Sequence, residues 1–209
     1  MSVCIGKEGL SVNCLLTLYL LDKSNSRVHD KLTLMKATFL AQKCMEEQGV
    51  NGFVYEFFRY LYGPFSPEVY DTKDALIESG LINSRGYKLT DRGNEVLEGF
   101  RNMIESNAEV FNCIDTAIKE IKGKNVHALL DYVYSLEMTP AGGETKQKIG
   151  DMSEFTAILR SDTFSSIKID ESELATLEVY LDKDLYDSVR RGVDDAKKGN
   201  LYRLEDVFD

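Results

Sequence analysis

The sequence predicts a mainly helical fold with a small β component, in which a winged-helix-like N-terminal module is followed by further helices. Apolar residues recur at helical spacing along most of the 209-residue chain. Aromatic and β-branched residues instead alternate over 53–58, which is typical of an extended segment. A hairpin pattern at 81–89 follows the third predicted helix, which is where a winged helix carries its wing.

The module begins with two helices. Leu15 and Leu18 belong to a short apolar helix that ends near Asp22. Asp30 is placed to cap a second helix, and the glycine-containing segment 49–52 ends that helix. The extended segment comes next in the chain.

A turn and a third helix follow. Gly63-Pro64 is predicted to break any regular element. Ser66 before Pro67 predicts an N-cap with proline at the first helical position, and Gly80 ends this helix after residue 79. The residues of this structural motif are Tyr62, Gly63, Pro64, Ser66 and Pro67.

The predicted wing is a hairpin around a glycine-containing turn. Short strands at 81–83 and 87–89 flank the turn. Thr90 or Asp91 then caps a long helix, which has an apolar face over 96–104.

The second half of the chain stays helical in pattern. A loop is predicted at 140–148, a short amphipathic helix at 155–159 and a long helix over 171–198. We expect residues 1–135 to form the winged-helix-like module and residues 136–209 to form an acidic helical C-terminal region.

The net charge of −10 is concentrated near the C-terminal end. Residues 151–209 hold 8 Lys and Arg against 15 Asp and Glu. Such a segment repels polyanionic nucleic acid and attracts a basic protein surface. The alternative is a solvated acidic surface that keeps the protein in solution.

The cysteines and the apolar segments indicate a cytoplasmic protein. The cysteines are scattered, with neither a disulfide framework nor zinc-binding spacing, and are typical of free thiols in a reducing compartment: Cys4, Cys14, Cys44 and Cys113. The longest apolar cluster, residues 14–21, is shorter than the roughly 18 residues that suggest a membrane span, and favours a core helix over a signal peptide.

No enzyme, metal or cofactor motif is present in the sequence. His29 and His127 have no partners at metal-ligand spacing. The glycine-rich segment 142–146 lacks the spacing of a phosphate-binding loop. We therefore expect a protein that is not an enzyme and that needs no cofactor.

A winged helix raises the question of DNA binding. The helix before the wing would enter the major groove, but it carries four acidic residues against Lys73 alone. The residues best placed to contact phosphates are Arg85, Lys88 and Arg92. Protein contacts are therefore at least as well supported as DNA contacts.

Aromatic residues are dense around the extended segment. Eight of the chain's 21 Phe and Tyr residues fall within 53–70. Core packing accounts for most of them, and a partner surface can use the rest, because Tyr and Phe are favoured interface anchors.

Five short runs resemble the Panacea-type (SocA-type, phage-associated) antitoxin domain over about residues 12–135. The runs are KLTLMK at 31–36, YEF at 55–57, YGPFSPE at 62–68, GLI at 80–82 and LTDRG at 89–93. The resemblance implies a cytosolic helical module of bacterial, archaeal and phage proteins. Some members of that family neutralise a toxin encoded beside them.

The segment 185–207 is similar to the C-terminal ends of small antitoxins. Those ends have a helix, a Lys/Arg-Gly stop and a short hydrophobic-acidic segment, and here Gly199 is the helix stop. The resemblance implies partner binding, for which the candidate residues are Tyr180, Leu185, Tyr186, Val189, Leu201, Tyr202, Leu204 and Val207. The alternative is an ordinary terminal helix docked on its own domain.

Two functional hypotheses follow. The first is an antitoxin-like binding protein whose acidic tail, 182–209, covers a basic surface of a cognate toxin or enzyme. The second is a winged-helix transcription regulator that binds DNA. Neither hypothesis involves a membrane, and a homodimer is compatible with both.

Overall fold

The computed structural model describes residues 7–160 and 167–199. Within these ranges the chain is mainly helical with a small antiparallel sheet component, as predicted. The helices are α1 Lys7–Lys23, α2 Lys31–Gln48, α3 Glu68–Glu78, α4 Asp91–Gly99, α5 Arg101–Ser106, α6 Ala108–Ile121, α7 Val126–Ser135, α8 Glu171–Leu181 and α9 Lys183–Lys197. The strands are β1 Phe57–Tyr60, β2 Gly63–Phe65, β3 Glu137–Met138, β4 Gln147–Lys148 and β5 Ala157–Leu159.

The hydrophobic core forms around α1. The side chains from residue 11 to residue 18 are all buried, including the polar Ser11, Asn13 and Thr17, so this part of α1 is covered on every side. Helices α3, α6 and α8 pack against it, and α2 packs along α6. The prediction of a core helix in this segment is confirmed. None of the helices in the described ranges is long and apolar enough to cross a membrane.

Two of the predicted helix caps are confirmed. The Asp30 carboxylate accepts a hydrogen bond from the backbone N–H of Thr33 at 2.9 Å, and the Thr90 hydroxyl oxygen accepts one from Gly93 N–H at 3.2 Å. Gly93 also has a packing role, because a Cβ there would overlap the carbonyl oxygen of Leu81. The start of α4 is thus held tightly against the preceding turn.

The main sheet has the order β2-β1-β5, with every pair antiparallel. The prediction that Gly63-Pro64 breaks regular structure is wrong, since both residues lie in β2, where Pro64 pairs with Arg59. Strand β2 is at the edge of the sheet, and an edge strand tolerates the missing N–H of proline. The predicted helix at 155–159 is also wrong, because Ala157–Leu159 forms β5 beside β1.

The start of α3 differs from the predicted N-cap. The helix begins at Glu68, and the hydroxyl of Ser66 donates to the Glu68 carboxylate at 2.9 Å rather than accepting from a backbone N–H. Ser66 is fully buried, so its hydroxyl needs a partner, and the nearby carboxylate supplies one. The Pro67 carbonyl accepts the first helical hydrogen bond, from Tyr70.

The predicted hairpin and two predicted long helices are shorter than expected. The hairpin is reduced to one bridge between Ile82 and Leu89 and a hydrogen bond from Asn83 N–H to the Lys88 carbonyl. The helix after the hairpin is interrupted at Phe100, which separates α4 from α5.

The helix expected over 171–198 is interrupted at Asp182. This residue has extended backbone angles, and its side chain accepts from Leu185 N–H at 2.9 Å to cap α9.

The elements beyond residue 135 contact those before it, since strand β5 pairs with β1 and α8 packs against α1. The division of the chain at that residue stays a prediction.

Candidate partner-binding surface

Helix α8 is docked on the body of the protein. Asp170 and Glu173 form a capping box at its first turn, and Leu177 is fully buried against the core. The Asn107 side chain also holds the approach to α8, because it donates to the Lys168 carbonyl at 2.9 Å and accepts from the Lys168 N–H at 2.7 Å. This helix is therefore part of the folded core.

Arg92 joins α4 to the junction of α8 and α9. Its Nη1 donates to the Ser79 carbonyl and its Nη2 to the Tyr180 carbonyl, both at 2.6 Å. The centre of the guanidinium lies 3.9 Å from the centroid of the Tyr186 ring. The planar guanidinium has five N–H donors, so one arginine can bind several groups at once. Arg92 thereby fixes the position at which α9 leaves the body.

Tyr186 completes this junction. Its ring lies 5.3 Å from that of Tyr180, and its hydroxyl donates to the Glu95 carboxylate at 2.9 Å. Burial, followed by the hydrogen bond to Glu95, raises the pKa of Tyr186. Two of the predicted partner-binding residues, Tyr180 and Tyr186, are thus engaged in contacts within the chain.

The rest of α9 presents an exposed apolar stripe, formed by Leu185, Val189 and Val193. These side chains are four residues apart and lie on one face of the helix. Their exposed fractions are 46%, 48% and 46%, and α9 has no buried residue. Val193 is absent from the residues predicted from the sequence, although its spacing from Val189 is the signal that identifies it.

Charge is distributed differently on the two C-terminal helices. Helix α9 carries four basic and four acidic residues between Lys183 and Lys197. Helix α8 carries three glutamates and no basic residue, and Asp170 and Asp182 flank it. Among the described C-terminal residues, the acidic excess therefore lies on α8 and its flanks, whereas the charges within α9 balance. The other predicted residues, Leu201, Tyr202, Leu204 and Val207, lie outside the described residues.

The three predicted phosphate-binding residues are in different surroundings. Arg85 and Lys88 are exposed on the hairpin, whereas Arg92 is half-buried and bound to two carbonyls. On α3, Lys73 is 95% buried and forms an ion pair with Asp74. Of the three predicted phosphate-binding residues, Arg85 and Lys88 are therefore the two whose side chains are exposed and can contact a polyanion.

A second apolar surface lies on the outer face of the sheet. Aromatic rings from three segments are in contact there, with centroids 5.5–6.2 Å apart in five pairs: Phe58, Tyr60, Phe65 and Phe155. Phe155 is 69% exposed and has a positive φ of 63°. The sequence predicted an aromatic surface in this region, but not the contribution of Phe155, which comes from a loop almost a hundred residues later.

Lys36 supports the segment Tyr62-Gly63-Pro64, where the chain enters β2. The Lys36 ammonium is buried and donates to the Pro64 carbonyl at 2.7 Å. Burial lowers the pKa of Lys36 to about 7. Gly63 has a φ of 87°, which favours glycine, while Tyr62 points out with most of its surface exposed.

In the described ranges, no group of three or more His, Cys, Asp or Glu side chains is arranged to hold a metal ion. Protein-family models, curated proteins and solved structures give no match to this chain.

Proposed function

We propose that the protein is an antitoxin-like binding protein that neutralises a cognate toxin or enzyme in the cytoplasm, with α9 as the main binding element. The observation that carries the proposal is the exposed stripe of Leu185, Val189 and Val193 on a helix with no buried residue. Such a helix retains apolar area that association with a groove removes from water.

The junction with the body supports this role. Arg92 and Tyr186 fix the base of α9, so the helix is held ready for binding and loses less conformational freedom on association. A free helix of about 15 residues is only marginally stable in water. Docking of its base therefore favours a preformed binding element.

Electrostatics define the kind of partner. The acidic residues of α8 and its flanks belong to the helix that directly precedes α9 and packs against it, and complementary basic charge on a partner speeds association. We expect a partner that offers an apolar groove bordered by Lys and Arg. The resemblance of residues 12–135 to the Panacea-type domain is consistent with such a partner being a toxin.

The experiment is growth rescue in a bacterial host. The protein encoded beside this chain is expressed alone and is expected to arrest growth, and co-expression of this chain is expected to restore it. L185Q/V189Q is expected to abolish rescue, because it removes apolar contact area from the stripe. The matched variant D187Q/R191Q places the same two glutamines on the charged face and is expected to retain rescue.

The two parts of the proposal fail separately. If the wild-type chain neither binds nor neutralises its neighbour's product, the antitoxin-like function is wrong. If L185Q/V189Q rescues growth as well as the wild-type chain, the function stands and the assignment to α9 is wrong.

A second candidate is a winged-helix DNA-binding regulator. It is favoured by the exposed cations Arg85 and Lys88 on the segment between α3 and α4. The acidic α3 and the internal contacts of Arg92 weigh against it. Salt-sensitive binding to the DNA upstream of its own gene, lost in R85E/K88E and kept in L185Q/V189Q, would establish this candidate in place of the first.

A further inference from the structure

Two cysteines from distant parts of the sequence meet between α2 and α6. The Sγ atoms of Cys44 and Cys113 are 2.6 Å apart, although the residues are separated by 69 positions in the chain. Both are free thiols in this structure. A disulfide bond is about 2.05 Å long, so the two sulfur atoms need to approach by only about half an ångström to form one.

We propose that Cys44 and Cys113 form a dithiol oxidation site, at which a low-molecular-weight disulfide such as oxidised glutathione links α2 to α6. This inference does not depend on the proposed function. From the sequence, the cysteines are expected to be free thiols with no relation to one another.

The two thiols differ in access. Cys44 is half-buried, whereas Cys113 is 98% buried. Burial, followed by the contact with Cys44, raises the pKa of Cys113 to about 12. Cys44 is therefore the thiol that a dissolved reagent reaches first, and Cys113 is the resolving thiol behind it.

The reaction proceeds in two exchange steps. The Cys44 thiol loses its proton, its sulfur attacks one sulfur of oxidised glutathione, and the glutathione S–S bond breaks to release one glutathione thiolate. The Cys113 thiol then loses its proton and attacks the Cys44 sulfur of the mixed disulfide, which releases the second glutathione. The two protein thiols are oxidised by two electrons, and one oxidised glutathione is reduced to two thiols.

Cys14 provides a matched comparison within the chain. It is fully buried in α1, and burial raises its pKa to about 12. It is a free thiol. Cys14 is therefore expected to stay a thiol under conditions that oxidise the Cys44–Cys113 pair.

The test oxidises the folded full-length chain in a C4S background, with a mixture of oxidised and reduced glutathione as the probe. Peptide mapping without reduction is expected to give a Cys44–Cys113 cross-link and a loss of two free thiols per chain, with no covalent dimer. The melting temperature is expected to rise by about 5 °C or more, because the link constrains the unfolded chain.

Two outcomes overturn the proposal: both thiols remain reduced, or glutathione stays bound to Cys44 without transfer to Cys113. C44S and C113S are expected to abolish the thermal shift, and C14S is expected to keep it. Because peptide mapping of the C4S chain needs no substitution in the core, the test holds even if C113S fails to fold.

Discussion

The guanidinium of Arg92 lies 3.9 Å from the ring of Tyr186 while its Nη2 donates to the Tyr180 carbonyl, 88 residues away in the sequence. One side chain of α4 thus contacts the end of α8 and the start of α9. This contact determines where α9 leaves the body, and the apolar stripe begins one residue before Tyr186. The candidate binding surface therefore depends on a residue that does not belong to it.

Replacement of this arginine tests the junction. Arg92→Ala removes two hydrogen bonds to carbonyls and the contact with the Tyr186 ring, so we expect the free energy of unfolding to fall by about 2–4 kcal/mol. Urea unfolding measures this loss, and hydrogen exchange is expected to be faster across α9. Arg85→Ala, at an exposed position, is expected to change stability by less than about 0.5 kcal/mol. Equal effects of the two substitutions would contradict the role of Arg92.

The buried Lys36 is expected to make the stability of the protein depend on pH. Burial lowers its pKa to about 7, whereas lysine in an unfolded chain titrates near pH 10.4. Between these values the unfolded state binds more protons than the folded state, so the free energy of unfolding rises with pH. Relative to Lys36→Met, the wild-type chain is expected to gain up to about 1.4 kcal/mol per pH unit above pH 7. Urea unfolding of both proteins at pH 7, 8 and 9 measures the difference. If the free energy of unfolding changes with pH in the same way in both proteins, Lys36 keeps an ordinary pKa.

A side chain at position 93 is expected to destabilise the protein for steric reasons. A Cβ at this position would overlap the Leu81 carbonyl oxygen. Because this is a backbone atom, it cannot move away by a side-chain rotation. Gly93→Ala is expected to lower the free energy of unfolding by about 2 kcal/mol or more, because the start of α4 must move. Gly192→Ala is the matched control in α9, where nothing lies within 4 Å of the added atom. That control is expected to be neutral or to stabilise by up to about 1 kcal/mol, and thermal unfolding compares the two.

The helices and their caps could be predicted because their causes are local. Asp30 and Thr90 bond to backbone groups three residues later, and helical spacing is visible in the sequence itself. The strand at Gly63–Phe65 could not be predicted in this way, because it exists only by pairing with β1. Strand β5 likewise depends on β1, almost a hundred residues earlier, so a local apolar pattern was assigned to a helix.

The same distinction applies to the candidate site. Leu185 and Val189 could be identified from periodicity alone, and Val193 continues their spacing. The internal roles of Tyr180, Tyr186 and Arg92 could not, because each depends on contacts between distant segments. An aromatic or cationic residue near an amphipathic helix looks the same in sequence whether it faces a partner or its own domain.

The stripe variant is expected to leave the fold intact. Leu185 and Val189 are about half exposed and do not belong to the buried core. L185Q/V189Q is therefore expected to change the free energy of unfolding by less than about 1 kcal/mol. Urea unfolding checks this value, and a larger loss would show that the stripe packs against the chain itself.

The most direct test of the binding role of α9 is calorimetric titration of its purified cognate protein with the wild-type chain, L185Q/V189Q and D187Q/R191Q. We expect L185Q/V189Q to raise the Kd by about 100-fold or more, because apolar contact is lost and polar groups are buried instead. We expect the Kd of D187Q/R191Q, with both changes on the opposite face of α9, to stay within about threefold of the wild-type Kd. A wild-type Kd for L185Q/V189Q would contradict the binding role of α9 and show that the partner binds elsewhere on the protein.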